Sequence, residues 1–269
     1  MKKIFTLILQ ISIFGFSTYA QEFYAGAQQA GMAHSSVMNG GLWSIGHNQA
    51  GITDVKRTSV GLYTENAYFL NELGYRVLAG VMPTKTGHFG LSLSYFGFSL
   101  YNRTMLGLAY AKKLSKTLSV SVQLDYFYIN TDGYTGAISV PAGEIGLRYM
   151  PIQNLNIGFH VFNPLPWKTD LLANDNLPQI YRVGMGYTFS EKLMLTMEGD
   201  FYSGNKPYLR TGLLFYVNKY FDICAGFNAL TRSYSTGLSM KYKSVTADLA
   251  FSKHLILGYT PHFSVAYSF

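Results

Sequence analysis

A single cysteine, Cys224, stands in the 269 residues, which excludes an internal disulfide and any thiolate-rich metal site. Charge is scarce as well: Asp, Glu, Lys and Arg together make up 13% of the chain. The cations that remain are scattered rather than clustered, so no nucleic-acid-binding surface is indicated. Beyond the first twenty residues no apolar run approaches a membrane-spanning helix, because polar residues interrupt each run within a few positions. The six histidines (34, 47, 88, 160, 254 and 262) show no paired spacing for a metal, and no Gly-x-Ser-x-Gly elbow is present. Glu198 and Asp200 lie two apart and would face one side of a strand, where two carboxyls can share a proton. The commoner role of such a pair is structural, as partners for buried arginines, so no catalytic residue, metal or cofactor is assigned.

The chain is instead rich in aromatics (16%) and in glycine (27 residues). Met1-Lys2-Lys3, an apolar stretch from Ile4 to Phe16, and Thr18-Tyr19-Ala20 follow the order of a secretory signal peptide. Residues 1–20 are accordingly read as that peptide, with cleavage before Gln21. Removal of Lys2 and Lys3 would lower the net charge from +7 to +5.

Thereafter one pattern recurs. Leu118, Val120, Val122, Leu124 and Tyr126 alternate with Ser119, Ser121, Gln123 and Asp125, and comparable runs fill 155–162 and 193–202. Successive side chains of a strand point to opposite faces, so each run is a strand with one apolar and one polar face. Fourteen such strands are predicted, at 57–66, 72–84, 87–101, 102–114, 118–131, 142–152, 155–167, 178–190, 193–204, 207–218, 221–231, 233–244, 245–258 and 260–269. An even number of long alternating strands and no second core to cover them predict an all-β fold, a transmembrane antiparallel β-barrel over 57–269. Connections after even-numbered strands are tight, as in TKTG at 84–87 and SEK at 190–192. Those at 131–142 and 163–178, after odd-numbered strands, are longer. Outer-membrane barrels have short periplasmic turns and longer outer loops, which predicts a bacterial outer-membrane protein with both termini periplasmic.

The stretch MNGGLWSIGHNQAGI at 38–52 resembles the N-terminal plug of the FadL-like outer-membrane family, which includes fatty-acid and toluene channels and PorV/PorQ-like proteins of type IX secretion. Gly40 and Gly41 match its small-residue run, Leu42 to Ile45 with Trp43 its short helix, and Asn48, Ala50 and Gly51 its turn. Gln49 stands where that family usually has proline. The resemblance implies a fourteen-stranded barrel with residues 21–56 as a plug in the lumen. On the residues alone, Asn48 and Gly51 are also consistent with a helix C-cap and a following turn. The ending HFSVAYSF, with Tyr267 and Phe269 on one face, resembles the terminal signal recognised by the barrel-assembly machinery.

With apolar residues toward lipid, the lumen would receive Arg76, Arg103, Arg148, Arg182, Arg210 and Lys241, balanced by Asp125, Glu144, Glu198, Asp200, Asp222 and Asp248. A selective pore presents an excess of one sign, whereas a balanced set points to ion pairs that fill the interior. Two functions follow from the resemblance. One is an accessory subunit of a larger outer-membrane secretion or assembly complex. The other is a passive transporter of hydrophobic small molecules. The short loops favour the accessory role, and the expected partners are membrane lipid, the assembly machinery and such a complex.

Overall fold

In the computed structural model, which describes residues 23–132, 137–165, 177–202 and 207–269, the alternating runs form a ladder that closes on itself. The predicted signal peptide at 1–20 and parts of the 131–142 and 163–178 connections lie outside the described residues. The strands are β1 Ser59–Asn66, β2 Gly74–Pro83, β3 His88–Gly97, β4 Tyr101–Lys113, β5 Leu118–Thr131, β6 Ile138–Ile152 and β7 Leu155–Phe162. The second half comprises β8 Ile180–Phe189, β9 Leu193–Tyr202, β10 Tyr208–Tyr216, β11 Phe221–Asn228, β12 Ser233–Tyr242, β13 Val245–His254 and β14 Gly258–Ser268. Each pairs antiparallel with its sequence neighbours, and β1 pairs with β14 from Ser59↔Ser268 to Glu65↔His262. The amide of Phe269 donates to the Thr58 carbonyl at 2.9 Å. Closure leaves no open edge, which is why these strands can stand in a bilayer.

Four boundaries differ from the sequence reading by four residues or more, one of them the end of β13, which stops at His254. β3 stops at Gly97, whose φ of 104° starts the turn to β4. β7 stops at Phe162. β6 begins four residues earlier than expected, through Pro141, because its pairing with β5 runs on to Ile129↔Ile138, while β7 reaches only as far as the Glu144↔Phe162 pair. That leaves one side of residues 138–142 without a ladder partner among the described residues, and proline is tolerated on such an edge.

Alternation sorts the wall into two faces. Leu62, Leu78, Leu91, Leu108 and Leu124 point outward, Leu124 with 72% of its surface exposed. This is the belt that lipid would cover. The short turns, including 153–154 and 243–244, share the end that carries Ser59 and Ser268, and the longer connections share the other.

Residues 23–58 precede β1 and fill the lumen. A short helix, α1 (Ala27–Gly31), packs against β11 to β14, and two 3-10 turns, Leu42–Gly46 and Gln49–Asp54, pack toward β1 to β6. Tyr24, Val37, Met38, Ile45, Ala50 and Ile52 are nearly devoid of solvent contact. The inner wall admits this segment through missing side chains. A Cβ on Gly158 would come within 2.2 Å of the Val37 carbonyl oxygen, and one on Gly226 within 2.3 Å of the Met32 backbone.

Candidate functional site

The lumen is where polar chemistry concentrates, and its organisation starts from the segment Phe23–Asp54. Asn48 does not cap the end of a helix. It caps the start of the Gln49–Asp54 turn, its side-chain oxygen accepting from the Ala50 amide at 3.1 Å. The same side chain donates through Nδ2 to the carbonyls of Val37 (2.8 Å) and Leu147 (3.0 Å), tying the segment to β6. Gln49 occupies the first helical position, where a proline also fits because the amide there has no intrahelical partner. Its side chain instead reaches Glu144 at 2.7 Å. Gly40 and Gly41 form the bend before Leu42. Gly41 has a φ of 117°, and a Cβ on Gly40 would collide with the Asp54 carboxylate. Trp43 is buried between Gly26, Gly61 and Tyr63, with its ring centroid 6.2 Å from that of Tyr63. Gly51 lies under the Asn39 carbonyl, so its missing side chain permits the close approach of the two turns.

The charged residues on the inner wall mostly serve this segment. Glu198 accepts the amides of Ser36 and Val37 at 2.6 and 2.7 Å. Asp200 accepts the Tyr24 hydroxyl at 2.8 Å and pairs with Arg210 at 2.9 Å, with Arg182 at 4.0 Å. The guanidinium groups of Arg182 and Arg210 also lie over the Tyr24 ring, at 4.8 and 4.7 Å from its centroid. Arg103 covers the Phe23 ring at 4.1 Å. Arg148 donates to the Met38 carbonyl at 2.8 Å and pairs with Asp54. Glu144 additionally pairs with His160, and Gln123 bridges Glu144 and Asp125 at 3.0 and 2.8 Å. Asp222 pairs with Lys241, while Asp248 accepts the hydroxyls of Ser239 and Ser264. These buried carboxylates are stabilised by amides and hydroxyls as much as by cations.

Arg76 is the exception and a correction. It lies on the outer face of β2, not in the lumen, because Tyr75, Val77, Ala79 and Val81 all point inward. The lumen is filled with protein, so its wall can be apolar there, packed with Trp43, Ile45 and Val55. Of the twelve charges expected in the lumen, five cations and six carboxylates face it. The sequence reading also passed over Tyr24, His47 and His160. His47 binds the Ala25 carbonyl at 2.9 Å and stacks on Tyr24. Alternation over 155–162 turns His160 inward but does not name its partner, and no periodic signal marks Tyr24 or His47, since their partners are distant in sequence.

Two spaces flank the latched region. At the loop end, Phe23, Phe127, Phe162, Ile180, Tyr202 and Tyr208 form an apolar cluster. At the end holding the chain termini, a cavity of about 580 Å³ opens between Gln28, Leu42 and Trp43 on the segment and Ser239, Asp248 and Ala266 on β12 to β14. Tyr267 and Phe269, the pair expected in an assembly signal, are exposed and pack edge to face at 5.0 Å. Among the described residues no cluster of His, Cys, Asp and Glu could hold a metal.

No protein-family model matches the sequence, and no curated protein matches it. Solved structures do match in fold. A FadL homologue of Pseudomonas aeruginosa superimposes with a TM-score of 0.68 at 11% identity, over 93% of this chain and 100% of that one. The toluene transporter TodX of Pseudomonas putida gives 0.65 at 12% identity, over 92% and 98%. The outer membrane protein Omp33 of Acinetobacter baumannii gives 0.51 at 10% identity, over 79% and 98%. The chain therefore has the fold of a FadL-like outer-membrane β-barrel, closed by fourteen strands around its own N-terminal segment.

Proposed function

We propose that this protein is a passive, non-enzymatic channel of the bacterial outer membrane for small hydrophobic molecules, with residues 23–58 as its movable plug and both termini in the periplasm. The accessory role expected from the short loops gives way to this reading, because a FadL homologue and a toluene transporter are among the similar structures. The observation that carries it is the uneven tethering of the segment. Its polar contacts concentrate on β5 to β10, through Leu147, Glu144, Arg148, Glu198, Asp200 and Arg210. Against β11 to β14 the helix α1 rests largely on small side chains, Ala27 and Ala30 near Ala250 and Gly31 near Gly237. The Ala27 amide to Ser264 (3.1 Å) and Gln28 to Asp222 (3.3 Å) are among the few polar ties on that side. A small displacement of α1 from β12 to β14 would extend the 580 Å³ cavity toward the apolar cluster at the loop end. The tethers on the opposite side would hold the segment in the lumen. Membrane lipid and, during biogenesis, the barrel-assembly machinery complete the proposed set of partners.

The test is uptake by cells whose outer membrane lacks a hydrophobic channel. Expression should raise uptake of a monoaromatic hydrocarbon or a fatty acid. Oxidation of an Ala27→Cys, Ser264→Cys double variant, in a Cys224→Ser background, should suppress that uptake, and reduction should restore it. Uptake that never exceeds the empty-vector level, or that ignores the crosslink, would remove the proposal. Recovery of the protein only in a stable large complex, without uptake, would restore the accessory role.

A further inference from the structure

Arg76 occupies a position where a cation is costly unless something answers it. On the outer wall, ladder register places Thr64, Arg76, Tyr95 and Thr104 side by side on β1 to β4. One row toward the short turns lie Leu62, Leu78, Leu93 and Leu106, all apolar. One row the other way lie Asn66, Gly74, Gly97 and Asn102, with Asn130 beyond them on β5. The wall thus passes from leucine to asparagine across the Arg76 row, which marks the edge of the hydrocarbon layer. The guanidinium lies beside Gly74, where an added Cβ would be 3.3 Å from Nη2, so it points to the polar side. Among the described residues no carboxylate pairs with it. Below it, a groove of about 610 Å³ runs between Leu62, Leu78, Leu93 and Val265.

We propose that this patch binds one phosphorylated, acylated glycolipid of the outer leaflet, its phosphate on Arg76, an acyl chain in the groove and its sugar against the asparagine row. The charge argues for the anion. A guanidinium matches phosphate with two parallel donors, and a lipid phosphate is an anion that sits at the bilayer edge with its acyl chain beside it. Leaflet choice rests on the orientation proposed above, since the Arg76 row lies at the loop end, far from Ser59 and Ser268. The amides of Asn102 and Asn130 supply both donors and acceptors for a sugar, which suits a glycolipid better than a glycerophospholipid.

The experiment is native mass spectrometry of the purified, folded chain with added lipid A, dephosphorylated lipid A or phosphatidylglycerol. One bound lipid A is expected, favoured over its dephosphorylated form by about fivefold or more, the equivalent of about 1 kcal/mol per basic residue at a lipid surface. Arg76→Ala should abolish the preference and Arg76→Lys retain part of it, both variants keeping the heat-modifiable gel band of a closed barrel. Equal lipid A retention by Arg76→Ala would overturn the site, and a preference for phosphatidylglycerol would overturn the glycolipid assignment. Uptake is not read here, so failure of the channel proposal and failure of this one remain separable.

Discussion

The Tyr24 hydroxyl donates to Asp200 at 2.8 Å while accepting from Arg210, so one phenol links the lumenal segment to an ion pair on β9 and β10. Asp200 and Arg210 are almost fully buried, and a buried charge that loses a partner is destabilising. Tyr24→Phe keeps the stacked ring and removes only the hydroxyl. It should lower stability by about 1–3 kcal/mol, read as a lower temperature for loss of the fast-migrating unboiled band. An unchanged transition would mean that this link does not tie the segment to the wall.

The two faces of β5 should respond differently to the same side chain for different reasons. Leu124→Arg places a cation in the lipid belt and should cost about 2–4 kcal/mol at the bilayer midplane. The polar face is not a tolerant one, because Ser121 packs where Asn48 and Gly146 meet. Ser121→Arg should therefore cost about 1–3 kcal/mol through overpacking. Ser121→Ala should stay within about 0.5 kcal/mol, since the buried hydroxyl has no hydrogen-bond partner among the described residues. Denaturant titration of the refolded barrel ranks the three, and a tolerated Ser121→Arg would show a roomier lumen.

Acid should loosen the end of the segment through Asp54. Burial raises the carboxyl pKa, but the Arg148 guanidinium and Lys113 outweigh it and hold the value below the usual 3.8. A depressed carboxyl stabilises fully above its unfolded value and loses that contribution as pH falls through the folded one. Between neutrality and about pH 4 the Asp54 contribution should be constant, and below that it should fade. Asp54→Asn should flatten the acid limb of a stability–pH curve relative to wild type. Parallel curves would show that the pair contributes nothing.

Glycine substitutions separate seating of the segment from closure of the wall. Gly226→Ala would drive a methyl into the Met32 backbone, which cannot rotate away. Gly80 faces outward, and its nearest atom would be 3.9 Å from an added Cβ. Gly226→Ala should raise leakage of small polar solutes in a liposome-swelling assay, while Gly80→Ala should behave as wild type. Equal leakage would show that the segment does not depend on this close approach.

Deletion of residues 24–50 probes the whole lumen. It would leave Glu198, Asp200 and Arg148 without their segment partners. The barrel should still close, since strand pairing is independent of the segment, but unfold at lower temperature and pass larger solutes. Retained wild-type stability with no leakage would mean that the wall collapses inward unaided.

The number of strands, their alternation and the outward leucines were legible in the chain itself, because a period of two is local and a lipid-facing surface has to be apolar along its whole length. Leu118 to Tyr126 is such a run, and β5 has the bounds expected for it. The same rule failed at Arg76, since an inner wall packed against protein can carry Tyr75 and Val77 as readily as serine. Asn48 showed its importance in sequence but not its role, which depends on the carbonyls of Leu147 and Phe159, about a hundred residues away. Glu198 and His160 showed their inward face in the alternation but not their partners, and Tyr24 carried no local mark at all. Their partners meet only when the ladder has closed, so barrel closure determines which inward groups face the segment and which end of the lumen stays open.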